Sequence, residues 1–131
     1  MRIILDTSAY SLFIRGSTAA TTVIQEADQI IFNPVVLGEL YAGFIKGGGL
    51  QSNRAKLKAF LSSHRVMVVD IDGETAEMYA LIHNDLRRAG TPIPSNDIWI
   101  AASAMQHGLR LVTMDAHFDK VTQVLVEQLP L

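Results

Sequence analysis

Short unbroken apolar runs alternate along the chain with longer stretches in which apolar residues recur every three or four positions. Ile3-Ile4-Leu5, Ile30-Ile31-Phe32, residues 66–69 and residues 109–112 are runs of the first kind. Their lack of polar alternation predicts strands covered on both faces. The first run ends at Asp6, followed by Thr7, Ser8 and a stretch compatible with helix. The second ends at Asn33-Pro34, where asparagine caps a helix and proline suits its first position. That helix is expected to reach about Lys46, to break at Gly47-Gly48-Gly49 and to give way to another over residues 50–63. Ala76, Met78, Tyr79, Ala80, Ile82 and Leu86 mark an amphipathic helix over residues 73–89, ended by Gly90. Pro92 and Pro94 bracket a loop, Ser95-Asn96-Asp97 follows it, and residues 98–105 read as a buried helix. A last strand is expected at about residues 123–126.

Strands of this kind alternating with helices predict an α/β domain of three layers, α/β/α, around a mainly parallel sheet. The chain has 131 residues, the size of one domain, and residues 1–131 are read as one unit without repeats or linkers. In such sheets binding sites gather beyond the carboxyl ends of the strands, near the point where strand order reverses. Asp6 and Asp115 lie at or just past two such ends.

Composition narrows the chemistry. Cysteine is absent, which excludes thiolate metal sites, disulfide scaffolds and cysteine nucleophiles and fits a cytoplasmic protein. No apolar run approaches a membrane span, and the N-terminus reads as a strand, so no membrane association is expected. A net charge of −2 and a pI near 6.0 argue against coating nucleic acid by bulk electrostatics. They leave room for a nuclease whose acidic side chains hold cations.

Four acids stand out by their surroundings: Asp6, Glu39, Asp97 and Asp115. On a helical wheel Glu39 is flanked by Val35, Val36, Ala42 and Gly43, and no Lys or Arg occurs between Arg15 and Lys46. An unpartnered carboxylate there is costly. Each of the others has an ordinary local role available: Asp6 as a helix cap, Asp97 as a first-turn acid facing the helix dipole, Asp115 as a turn residue. A parallel sheet, however, can bring two strand ends and two helices around one crevice, and four carboxylates cannot share it without cations. Hard oxygen donors suit Mg²⁺ or Mn²⁺, and those ions serve phosphoryl chemistry.

The segments Ile4-Leu5-Asp6-Thr7-Ser8-Ala9, Leu37-Gly38-Glu39-Leu40, Asn96-Asp97-Ile98-Trp99-Ile100-Ala101-Ala102 and Leu111-Val112-Thr113-Met114-Asp115-Ala116-His117-Phe118 together resemble, in order and spacing, the pattern of PIN-domain ribonucleases. The likeness spans essentially the whole chain and is greatest to the VapC-type toxins. It implies a Mg²⁺- or Mn²⁺-dependent endoribonuclease that cuts RNA. It also implies neutralisation by a cognate antitoxin, a homodimer, a hetero-oligomer with the antitoxin, and operator DNA reached only through the antitoxin. By position, Asp6 and Asp97 would be the principal metal ligands, with Glu39 and Asp115 completing the site directly or through water.

Thr7, Ser8, Asn96 and Thr113 lie beside these acids and are candidates to hydrogen-bond ligands, water or phosphate, although caps and turns use the same residues. His117 is the histidine nearest the acids and is read as structural or superficial. Trp99 is expected in the core, and Asp119 in solvent. A phosphoacceptor signalling domain would want a second acid after Asp6 and a late lysine. Thr7 follows Asp6, and no lysine occurs from residue 61 to 117. A haloacid-dehalogenase-like phosphatase would want an acid at Ser8. The remaining alternative is a PIN-fold scaffold whose acids grip a basic partner without cleaving RNA.

Overall fold

Ile3, Ile4 and Leu5 have no exposed surface, because their strand is the middle one of the sheet. In the computed structural model, which describes residues 1–130, β1 (Arg2–Leu5) lies between β2 (Gln29–Phe32) and β4 (Arg110–Thr113), parallel to both. β3 (Val66–Val68) adds outside β2, and β5 (Val126–Gln128) outside β4. The order is β3-β2-β1-β4-β5, and each of these four pairings is parallel. The chain steps outward from β1 to β3, then returns past β1 to β4. Strand order therefore reverses between β1 and β4.

Right-handed crossovers in the two directions put helices on opposite faces. α1 (Thr7–Ile14), α2 (Thr18–Glu26), α3 (Pro34–Gly47) and α4 (Leu50–Leu61) cover one face; α5 (Gly73–Ala89) and α6 (Ser95–His107) cover the other. The packing partners agree: α1 meets α2 and α3, α3 meets α4, and α5 meets α6. This is the three-layer α/β/α architecture expected from the sequence. On the first face Tyr10, Phe13, Phe32 and Phe60 pack edge to face or tilted, with ring centroids 5.3–6.3 Å apart.

Four details differ from expectation, each for a local reason. The helical stretch after Asp6 is two helices, because Gly16 takes a positive φ of 88° and Ser17 caps α2 by accepting from Ala20 N at 3.2 Å. α6 begins at Ser95, ahead of the expected residue 98, so Asn96 joins Asp97 in its first turn. β3 is an edge strand, which leaves Met67 45% and Val68 42% exposed instead of buried. The last strand is Val126–Gln128, not residues 123–126, since Thr122–Val124 turn and Leu125 stands 71% exposed.

Asn33 shows how the two faces are tied. Its Oδ1 accepts from Val36 N at 3.1 Å, capping α3, while its Nδ2 donates to Ser103 Oγ at 3.0 Å and Trp99 O at 3.3 Å on α6. Asn33 and Ser103 are both wholly buried. Asn33→Ala removes the cap and strands two buried polar groups, and should cost about 2–4 kcal/mol. Urea unfolding should show a lower midpoint with an unchanged slope; a midpoint equal to wild type would show that the link carries little.

Candidate functional site

At the reversal point, β1 and β4 deliver their carboxyl ends side by side. Asp6, only 4% exposed, follows β1, and its backbone N–H donates to Val112 O at 3.3 Å. Its carboxylate accepts from Ala9 N at 2.8 Å, which caps α1, from Ser8 Oγ at 2.7 Å, and from Thr113 Oγ1 at 2.5 Å. Thr113, wholly buried at the end of β4, in turn accepts from Asp115 N at 2.9 Å, and Ser8 Oγ accepts from Met114 N at 3.0 Å. These bonds fix the exit of β4 to the start of α1.

Three further acids face the same edge. Glu39, half-buried on α3, accepts from Thr7 Oγ1 at 2.7 Å and from Asn96 Nδ2 at 3.3 Å. Asp97, in the first turn of α6, keeps 16% of its side chain exposed. Asp115 caps the short 3₁₀ helix Ala116–Lys120 by accepting from His117 N at 2.9 Å. The His117 ring stands between the last two acids, Nδ1 3.2 Å from Asp97 Oδ2 and 3.2 Å from Asp115 Oδ1.

The electrostatics are those of crowded anions. Burial pushes the Asp6 carboxyl above its ordinary range. The three hydrogen bonds pull it down without cancelling that, and Asp97 pushes it up further. Burial likewise raises Asp97; the His117 hydrogen bond opposes the rise, and Asp115 and Glu39 reinforce it. Among the described residues no Lys or Arg forms an ion pair with any of the four acids.

One donor atom each from Asp97, Asp115 and His117 lies within 4.8 Å of the others. Carboxylate oxygens and an imidazole nitrogen, gathered without a competing lysine or arginine among the described residues, fit a divalent cation. Cavities of 240 and 470 Å³ lie elsewhere, the first lined by Tyr10, Phe44 and Lys56, the second by Arg2, Leu109 and Arg110 at the opposite ends of the strands.

Residues 3–124 match the PIN domain. The chain belongs to the PIN-domain family. This PIN domain is 34% identical over 125 residues to Ribonuclease VapC4 of Mycobacterium tuberculosis, an alignment spanning 86% of the chain and 96% of that relative. Its fold matches that of VapBC2 from Rickettsia felis, solved bound to a promoter DNA fragment, with a TM-score of 0.87 and 24% identity over 99% of this chain and 100% of that one. VapBC from Salmonella typhimurium, solved bound to DNA, superposes with a TM-score of 0.84 and 26% identity over 98% of each chain.

Asp6, Glu39, Asp97 and Asp115 thus lie around one edge of this PIN domain, with Thr7 and Asn96 bonded to Glu39, and Ser8 and Thr113 to Asp6. The local roles weighed for the acids are also filled: Asp6 and Asp115 cap helices, and Asp97 sits in a first turn. His117 is the residue the sequence reading undervalued, since it touches two of the acids instead of standing apart. Its two-residue spacing from Asp115 was the available signal. Trp99 is half-buried against Tyr79, ring centroids 4.2 Å apart, and Asp119 is exposed.

The raised carboxyls carry a pH signature. Without metal, folded Asp97 holds its proton more tightly than the unfolded chain, whose carboxyl titrates near 3.8. Stability contributed by the protonated form is therefore lost as pH climbs through the native value. Asp97→Asn should be more stable than wild type near neutral pH in chelator, and the difference should shrink to nothing as pH falls to the ordinary carboxylate range. Chemical unfolding from about pH 4 to about pH 8 measures it; a gain independent of pH would reject the charge argument.

Proposed function

We propose that this PIN domain is a Mg²⁺- or Mn²⁺-dependent endoribonuclease, the toxin of a toxin–antitoxin pair, working through Asp6, Glu39, Asp97 and Asp115. The observation that carries the reading is four carboxylates converging where strand order reverses, with no lysine or arginine among the described residues paired to them. A divalent cation would supply, when bound, charge stabilisation for phosphate oxygens and water acidic enough to attack near neutral pH. Asp6 and Asp97 would be its principal ligands, with Glu39 and Asp115 completing the site directly or through water; Asp6, only 4% exposed, would hold it from beneath. Thr7 and Asn96 restrain Glu39, while Ser8 and Thr113 restrain Asp6, so the donors keep their positions when substrate arrives.

The VapC names and VapBC assemblies of the relatives support RNA as substrate and a small antitoxin as partner. With a net charge of −2, the chain is poorly suited to grip duplex DNA alone, which supports operator binding through the antitoxin. No helix among the described residues is long and apolar enough to cross a membrane, and action in the cytoplasm on cellular RNA is part of the same reading. So are a single domain over residues 1–131, a homodimer and a hetero-oligomer with the antitoxin. Sedimentation at micromolar concentration should return a dimer without the antitoxin and a larger species with it; a monomer in both conditions would count against assembly.

Asp97→Asn tests the chemistry. The change is nearly isosteric and removes the charge, so Mn²⁺ affinity and single-turnover cleavage of structured RNA should fall together, cleavage by at least about a hundredfold. Thermal unfolding should show a folded protein. Near-normal cleavage and unchanged metal binding in the folded variant would overturn the assignment. Wild type that binds antitoxin but never cleaves RNA with Mg²⁺ or Mn²⁺ would favour the scaffold.

A further inference from the structure

Four carboxylates are the ligand set of the ribonuclease reading, and a donor of another kind sits among them. His117 Nδ1 is 3.2 Å from Asp97 Oδ2 and 3.2 Å from Asp115 Oδ1. Bonds of about 2.1 Å from one ion to nitrogen and oxygen separate adjacent donors by about 3.0 Å in an octahedron and about 3.4 Å in a tetrahedron. Both observed separations fall between those edges. The ring therefore already has the spacing of a neighbouring ligand to both acids. The backbone helps to keep it there: His117 N donates to Asp115 Oδ1 at 2.9 Å, so one carboxylate fixes the main chain of the residue whose ring it faces. The side chain is 45% exposed, so a cation can reach the ring from solvent. Among the described residues no arginine or lysine pairs with either acid to take the ring's place.

We infer that His117 is a direct nitrogen ligand, making a mixed nitrogen–oxygen centre with Asp97 and Asp115 that favours Mn²⁺ and similar transition ions over Mg²⁺. The inference rests on the metal-centre reading above and sharpens it. Imidazole adds affinity for first-row transition ions, whereas Mg²⁺ keeps to oxygen and water. A purely structural ring would act differently, as a hydrogen-bond donor to Asp97 Oδ2.

The full-length chain, its His117→Ala variant and its His117→Asn variant separate these roles. Asparagine keeps an N–H near the place of Nδ1 and loses the imidazole. Pulsed electron paramagnetic resonance on the Mn²⁺-loaded proteins should show nitrogen coupling in wild type and none in either variant. Calorimetry should show Mn²⁺ affinity falling at least about tenfold in both variants, and Mg²⁺ affinity changing less than about threefold. Nitrogen coupling that survives His117→Ala, or its absence from Mn²⁺-loaded wild type, would overturn the inference and leave the carboxylate centre standing. Wild-type Mn²⁺ affinity in His117→Asn would overturn it in favour of the hydrogen-bond role. Wild type that binds no Mn²⁺ at all would overturn both the inference and the reading beneath it.

Discussion

A carboxylate buried at the end of the central strand has to be satisfied on both oxygens, and this edge of the domain is organised around that need. Asp6 gets its bonds from three places: the first turn of α1, the Ser8 hydroxyl, and Thr113 at the end of the neighbouring strand. Each donor is held in its turn by something else. Thr113 also receives the backbone of Asp115, and Ser8 that of Met114. Removing the buried charge would therefore loosen the junction between β1, α1 and the exit of β4, and not only an isolated side chain.

The same economy governs the other acids. Caps and first turns are the places where a helix accepts negative charge most readily, because unsatisfied N–H groups and the helix dipole point there. The domain puts Asp6, Asp97 and Asp115 at three such places and lets the sheet bring those ends together. Backbone N–H groups offset part of the repulsion, and the raised Asp6 and Asp97 carboxyls show that part remains. That residue of repulsion is what a cation can relieve. Under the proposed function, local stability and metal binding would draw on the same side chains, so a helix-capping role and a site role are compatible here.

Much of this was legible in the sequence, for identifiable reasons. β1, β2 and β4 are covered on both faces, so they appear as unbroken apolar runs; the parallel sheet, the three layers and the clustering of strand-end acids follow from that pattern. The edge strands write a weaker signal. β5 carries Glu127 and Gln128 beside a single valine, and the more apolar Val124 and Leu125 just before it draw the eye to a turn. The split between α1 and α2 depends on one glycine with a positive φ, which periodicity alone does not register. Asn33 was readable as a cap but not as a bridge to α6, because Ser103 lies seventy residues away. His117 was obscured in the same way: a histidine in a polar turn is ordinary until Asp97, twenty residues earlier, is seen beside it.

The pairing of β1 with β4 has a consequence in time. Ser8 and Thr113 are 105 residues apart and Asp6 and Thr113 are 107 apart, so these groups cannot meet until β4 has been made. At ribosomal speeds of about 5–20 residues per second, roughly 5–20 s separate the synthesis of Asp6 from that of Thr113. Closing so long a loop is also slow compared with forming the helices between. Until β4 has been made, a nascent chain of this kind is chemically incomplete, and the acids acquire their shared geometry only when the strand that adjoins β1 arrives.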